Sequence, residues 1–193
     1  MSNKIKQILS FLHQAEKLKT VLRHSWLSNG RRESTAEHIW RMALMAMLFY
    51  KHLQKNNLPN LEKVFKMVLV HDLTEIYAGD VPAWKKGKAT RYKEEKNALQ
   101  KLINPLSKTE QSDLMSLWEE FEERKSKEAK FARALDTLES HFQHNEAKLK
   151  TWNRGDYAIH FVRGVKENSY DPFLKNLLML GHKEAKSKIK KGK

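Results

Sequence analysis

The chain reads as all-α, and three observations carry that reading. Glycine (7) and proline (4) are scarce in 193 residues, while lysine, leucine, glutamate and alanine abound. That balance suits helices better than a turn-rich β fold. Apolar residues recur at three- and four-residue steps along most of the chain, the spacing of helices with one inward face. No alternating apolar and polar run persists long enough to build a sheet.

The elements follow in order. A first helix spans Lys4 to Lys19, with Ile5, Ile8, Leu9, Leu12 and Ala15 on one face. A loop with Trp26, Asn29 and Gly30 follows. Ser34-Thr-Ala-Glu37 is a capping-box pattern that opens a helix to about Asn56, striped by Ile39, Met42, Ala43, Met45, Ala46 and Phe49. Asn60 caps a helix from Leu61 to about Tyr77, aligning Val64, Met67, Val68 and His71. Gly79, Pro82 and Gly87 mark a long connection before a helix over Thr90 to Ile103. Asn104-Pro105 breaks it, and Ser107-Lys-Thr-Glu110 opens a helix to about Glu123. Ser126 caps a long helix to about Lys150 that turns Phe131, Leu135, Leu138 and Phe142 inward. Asp171-Pro172, a cap followed by proline at the first helical position, starts the last helix. The length suits one domain able to bury a real core. Residues 1–180 are assigned to that domain and 181–193 to a basic tail.

With no cysteine, disulfides, Fe–S clusters, Cys-ligated zinc and thiol catalysis are excluded. The longest apolar stretch, Met42 to Tyr50, is far short of the ~20 residues of a membrane span. The N-terminal segment lacks the continuous apolar core of a signal peptide. A soluble, cytoplasmic protein with no membrane partner is expected. The net charge is +14, and the tail carries six lysines against Glu184. Such charge suits nucleic acid, an anionic membrane surface or a phosphorylated small molecule, or an ordinary solvated surface and a frayed terminus. Aromatic residues are not interleaved with it as on a base-stacking surface.

The chemistry-bearing residues are fewer. His38, His71 and Asp136 each sit at the margin of an apolar stripe on a separate expected helix, and Asp72 follows His71. Two imidazoles and two carboxylates can hold one divalent transition metal and leave positions open for water and substrate. They favour Mn²⁺, Co²⁺, Fe²⁺, Ni²⁺ or Zn²⁺ over Ca²⁺. A buried Asp136 needs a cation or donors, and a shared metal satisfies all four. Taken singly, each has an ordinary alternative: a hydrogen-bonded core histidine or a helix-end aspartate. Glu75, four residues after His71, shares its helix face. It reads equally as an acid/base group beside the metal and as a surface carboxylate on the last turn.

The ordered set is more specific than its parts. His38, then His71-Asp72 after 33 positions, then Asp136 after 64 more, resembles the HD-domain metal-dependent phosphohydrolases. Leu18-Lys-Thr-Val-Leu-Arg23-His-Ser-Trp26, Glu33-Ser-Thr-Ala-Glu-His38, His71-Asp-Leu-Thr-Glu75-Ile-Tyr-Ala-Gly-Asp80 and Ala134-Leu-Asp136-Thr-Leu-Glu139 are similar to one branch of them. That branch holds the 5′-deoxynucleotidases and the HD-domain-containing protein 2 group, and the likeness covers about Phe11 to Trp152. The resemblance implies an all-helical bundle of about six or seven helices around one divalent metal. His38, His71, Asp72 and Asp136 would be ligands and Glu75 the acid/base residue. Arg23 would grip the 5′-phosphate, Trp26 would lie by the sugar, and Asp80 would belong to the substrate pocket. In the bacterial deoxynucleotidases the arginine and tryptophan are adjacent; here His24 and Ser25 intervene, as in the protein 2 group. A homodimer is also implied.

Other features lie outside that pattern. His141 and His144 could approach the phosphate, but are expected to face solvent. Lys85, Lys86 and Lys88 follow Asp80, either to steer an anionic substrate or as a charged loop. Trp84, Trp118 and Trp152 suit packing or a subunit interface. The expected activity is hydrolysis of (deoxy)nucleoside 5′-monophosphates. The rivals are an HD reaction on a nucleoside triphosphate or cyclic phosphodiester, and a basic nucleic-acid-binding module with a structural or vestigial metal site.

Overall fold

The helix Lys127–Glu146 is buried on nearly every side, the mark of a core element, and the rest of the chain is arranged around it. The computed structural model describes residues 3–81 and 88–192. In chain order these form α1 (Asn3–Ala15), β1 (Leu22–Trp26), β2 (Arg32–Ser34), α2 (Thr35–Phe49), α3 (Leu61–Val70), α4 (Glu75–Ala78), α5 (Lys88–Ile103) and α6 (Lys108–Glu123). The central helix α7 (Lys127–Glu146), α8 (Arg154–Ile159), α9 (Val165–Asn168) and α10 (Pro172–Lys191) complete it. Seven of these helices have ten residues or more, which fits the expected all-α bundle. No helix among the described residues is long and apolar enough to cross a membrane. Trp84, Lys85 and Lys86 lie outside the described residues, as does the side chain of Lys88.

α7 packs against α2, α3, α6 and α10. Phe131, Leu135 and Leu138 are fully buried with Met42, Met67, Leu99, Leu102, Trp118, Phe121 and Leu174. Each such side chain contributes about 1.5–3 kcal/mol of apolar burial. The start signals act as written in the sequence. Ser34 and Ser107 close capping boxes with Glu37 and Glu110. Ser126 accepts from Ala129 N, and Asp171 caps a helix with proline in its first turn.

Four departures matter. First, the helix expected to run to Tyr77 stops at Val70. The chain then tightens into i→i+3 bonds, Leu73 N to Val70 O (3.1 Å) and Glu75 N to Asp72 O (3.1 Å), the narrower 3₁₀ pattern. His71 and Asp72 thus sit in a turn, not on a helix face. Second, residues expected in a loop form a two-stranded antiparallel ribbon, with Leu22 opposite Ser34 and Trp26 opposite Arg32. Its inward side chains are Arg23 and Ser25, so no apolar alternation announces it. Third, α1 turns only Ile8 and Phe11 toward the core, while Ile5, Leu9 and Leu12 are exposed. Fourth, no tail begins at Gly181. α10 continues to Lys191 with Gly181 and Ala185 buried. A Cβ on Gly181 would meet the Phe142 ring at 3.5 Å. Lys188 Nζ donates to Asn145 O (2.6 Å) and to Ala147 O, placing a cation on the free carbonyls that end α7.

Candidate metal centre

Four side chains converge from α2, the turn after α3, and α7. His38 Nε2 lies 3.4 Å from Asp136 Oδ1 and 3.8 Å from Asp72 Oδ2, and His71 Nε2 lies 3.1 Å from Asp72 Oδ2. The donor atoms of His38, His71 and Asp136 all fall within 4.8 Å of one another. The far nitrogen of each ring is engaged. His71 Nδ1–H donates to Val68 O at 2.9 Å, and His38 Nδ1–H donates to Glu139. Each ring is thereby set with its Nε2 turned toward the carboxylates. Both Nε2 atoms are buried and make no hydrogen bond. A buried polar atom without a partner is costly. Two such atoms beside two carboxylates fit a divalent cation.

The charges follow from the crowding. Burial alone would raise Asp72, but His71, His38 and Arg23 hold its carboxyl well below the usual range. Against the same burial, Arg133 and His38 do this for Asp136. Glu139, buried beneath His38, is held at about 2 by His38, Arg23 and Arg41. Its other oxygen accepts from Arg41 Nε at 2.9 Å. Glu75 behaves oppositely. Burial, then Asp72 and Asp80, push its carboxyl well above the ordinary range, with Arg23 and Thr35 opposing. Thr35 Oγ1 donates to Glu75 Oε2 at 2.6 Å. The 3₁₀ turn, not a shared helix face, brings Glu75 back toward Asp72.

Arg23 on β1 joins this centre to the rest of the cleft. Its Nε donates to Glu33 (3.1 Å), Nη1 to Asp72 (3.5 Å) and Nη2 to Ser140 (3.1 Å). Asp80 accepts from His24 N at 2.6 Å. The cleft has about 880 Å³ with its open mouth, and Arg23, Asp72, Glu75, Asp80 and Asp136 all line it. Trp26 does not line it. Its ring packs 5.7 Å from the Arg32 guanidinium and borders a side pocket instead.

Several site residues had no assigned role in the sequence. Glu33 and Glu139 stand within the quoted motifs, and Glu139 lies three positions after Asp136, on the same helix face. Arg91, Arg133 and Arg163 add positive charge to the cleft wall. His141 and His144 depart from expectation: His141 is buried and His144 half-buried. Trp118 is fully buried and Trp152 nearly so.

Residues 15–177 match the model of the HD domain. The chain belongs to the HD-domain family. Human 5′-deoxynucleotidase HDDC2 is 34% identical over 144 residues, which are 73% of this chain and 68% of the human protein. The Dictyostelium discoideum 5′-deoxynucleotidase HDDC2 is 37% identical over 137 residues, 68% of this chain and 72% of its own length. A crystal structure from Magnetospirillum magnetotacticum, described as a predicted metal-dependent phosphohydrolase, superposes with a TM-score of 0.76 at 27% identity. It covers 95% of this chain and 98% of its own. In this HD domain the histidine of the His-Asp pair leaves α3 just where the helix ends, so the family motif marks a turn.

Proposed function

We propose that the chain is a metal-dependent phosphomonoesterase that hydrolyses deoxynucleoside 5′-monophosphates to nucleoside and inorganic phosphate in the cytoplasm. The observation that carries this reading is Arg23. Its guanidinium touches Asp72 at 3.5 Å, so an anion grip and a four-residue metal centre share one wall of one cleft. The names of the relatives supply the substrate class.

His38, His71, Asp72 and Asp136 would hold the cation, one of Mn²⁺, Co²⁺, Fe²⁺, Ni²⁺ or Zn²⁺. When bound, it supplies a Lewis acid that activates water and screens the phosphate charge. The chain's own groups do the rest. Arg23, kept charged and immobile by Glu33, Asp72 and Ser140, orients the phosphoryl oxygens. A new P–O bond forms from water as the P–O5′ bond breaks, and the proton lost by water must reach the leaving O5′. Glu75 is placed to carry it, since burial and two neighbouring carboxylates raise its carboxyl well above the ordinary range. Asp80, tied to the backbone of His24, shapes the sugar side of the cleft.

The test is phosphate release from ribo- and deoxyribonucleoside monophosphates, metal by metal. Inorganic phosphate and nucleoside are expected. Pyrophosphate or a linear diester as the product would replace this reading with the triphosphate or cyclic-phosphodiester rival.

We also propose a homodimer. Trp40 (65% exposed), Leu44, Met47 and Leu48 form an uncovered apolar stripe on α2, and Leu44 and Leu48 share a groove with Leu180 of α10. An exposed apolar patch of this kind marks an interface. Light scattering at micromolar concentration is expected to give twice the chain mass, and Trp40→Glu to lower it. A monomer mass for the unaltered protein ends the proposal.

A further inference from the structure

Behind the side pocket that Trp26 borders lies a second group of metal-type donors, none of them in the centre described above. His24 comes from β1, His144 from the last turn of α7, and Asp156 from α8. Their donor atoms all lie within 4.8 Å of one another. His24 Nε2 is 2.9 and 3.0 Å from the two Asp156 oxygens, and His144 Nδ1 is 4.0 Å from Asp156 Oδ1. Asn153 Nδ2 is 3.2 Å from His24 Nε2, and Asn153 N donates to Asp156 Oδ2 at 2.7 Å.

The spacing repeats that of the first centre. There, donor atoms stand 3.1–3.8 Å apart across imidazole and carboxylate; here the corresponding range is 2.9–4.0 Å. Asp156 is almost wholly buried. His24 and His144 also line the main cleft, and two smaller cavities meet at the group. One is lined by His24, His144 and Asp156, the other by His144, Asp156 and His160. In the second, His160 Nε2 is buried and makes no hydrogen bond, so a further imidazole nitrogen at the same place lacks a partner.

We propose that His24, His144 and Asp156 form a second site for a divalent transition cation of the zinc type, separate from the His38–Asp136 centre. Two imidazoles and one carboxylate select zinc, nickel or cobalt over calcium or magnesium. One carboxylate supplies less negative charge than the two of the first centre, and Arg163 lines the adjoining cavity. The second site is accordingly the weaker one and fills last. Its ligands tie the strand that carries Arg23 to α7 and α8, so the ion acts as a clasp on the phosphate side of the cleft. Binding to the folded state alone raises its stability by mass action.

The experiment strips the full chain with a chelator and titrates it with Co²⁺, then Zn²⁺. Bound metal is counted by elemental analysis and melting followed by circular dichroism. The unaltered protein is expected to take two equivalents in two steps, the second raising the melting temperature. His24→Ala and His144→Ala, each checked for native helicity, should keep the first equivalent and lose the second. Asp136→Ala should lose the tighter step and keep the weaker. A single equivalent in the unaltered protein overturns the proposal, and needs no variant to fold. So does a second equivalent that survives both histidine substitutions, since that ion sits elsewhere. Neither result bears on the phosphatase reading, which depends on the first centre.

Discussion

The chain buries histidines in two neighbouring regions and sets them to opposite ends of the imidazole range. In the metal centre, burial and Arg23 push His38 down. Glu139 and Asp136 outweigh them and carry it to about 10. In the cluster of His141, His160 and His182, rings meet edge-to-face or tilted at centroid distances of 4.6–6.0 Å. There burial and the neighbouring imidazoles act together, taking His160 to about 3 and His141 to about 4. The side chain is the same, and His38, His141 and His160 are all buried. What differs is carboxylate density: the first region is built to hold positive charge, and the second excludes it from its own rings.

The sharpest break in that contrast comes from removing the first region's charge-holding groups. His38→Ala, His71→Ala, Asp72→Ala and Asp136→Ala should each lose the tightly bound metal and essentially all phosphatase activity. Elemental analysis and phosphate release measure both. Undiminished tight binding in all four variants would sink the site.

Glu75 sharpens the comparison, because burial, Asp72 and Asp80 raise its carboxyl while Asp72 and Asp136 beside it are lowered. Glu75→Ala should retain the ion and the fold and turn over at least about 100-fold more slowly, the lower range for loss of a general acid/base. Metal leaving together with activity would make Glu75 a ligand. Near-unaltered activity would hand the proton to another group such as Asp80.

Next comes Glu139, which touches His38 on the side away from Asp136. Glu139→Gln keeps the shape and removes the charge. Metal affinity is expected to fall about 10–100-fold, the usual cost of losing a ligand's hydrogen-bonded partner. An unchanged affinity would mean that carboxylate density around His38 is not what defines the region.

The last prediction belongs to the second region. His141 and His160 bind protons more readily unfolded, near 6.5, than folded, near 4 and 3. Their contribution to stability is therefore intact above pH 6.5 and falls as pH drops from there toward 4. Each costs about 1.4 kcal/mol per pH unit in that window. Urea melts at pH 7.0, 6.0 and 5.0 should show this slope. His160→Phe, isosteric enough to fill the space, should flatten it by its share, and an equal slope in that variant would place the acid sensitivity elsewhere.

How much of this was legible in sequence follows from which physical signal each part emits. Capping residues act locally, so Ser34, Ser107, Ser126 and Asp171 marked their helices directly. The four centre residues were legible because each sits at an apolar margin and the ordered motif joins them. The turn after Val70 was hidden, because apolar spacing continues through Leu73 and Ile76 with no glycine or proline to interrupt it. The ribbon was hidden because its buried positions are Arg23 and Ser25, and periodicity counts only apolar residues. His141 and His144 are polar and were expected at the surface by type, whereas the rings of His160 and His182 pack against them. The end of α10 looked like a frayed tail because its lysines outnumber its packing residues. The packing depends on Gly181 and Ala185, too small to register in a hydrophobic pattern. Trp26 carried a role by position in a motif, but the two residues before it turn its ring away from the cleft.

α7 bears Asp136, Glu139, Ser140, Gln143 and His144 in one uninterrupted stretch of helix, meeting His38, Arg23, Trp26 of the ribbon and Asp156 in turn. Each residue turns the helix by about 100° and advances it 1.5 Å. Inserting or deleting one residue anywhere between Asp136 and His144 would swing every later partner a quarter-turn out of phase with every earlier one. Side chains along this rod can be exchanged one at a time at graded cost, but its length cannot. Over this stretch natural drift is confined to spelling, and insertions and deletions must fall in the connections on either side.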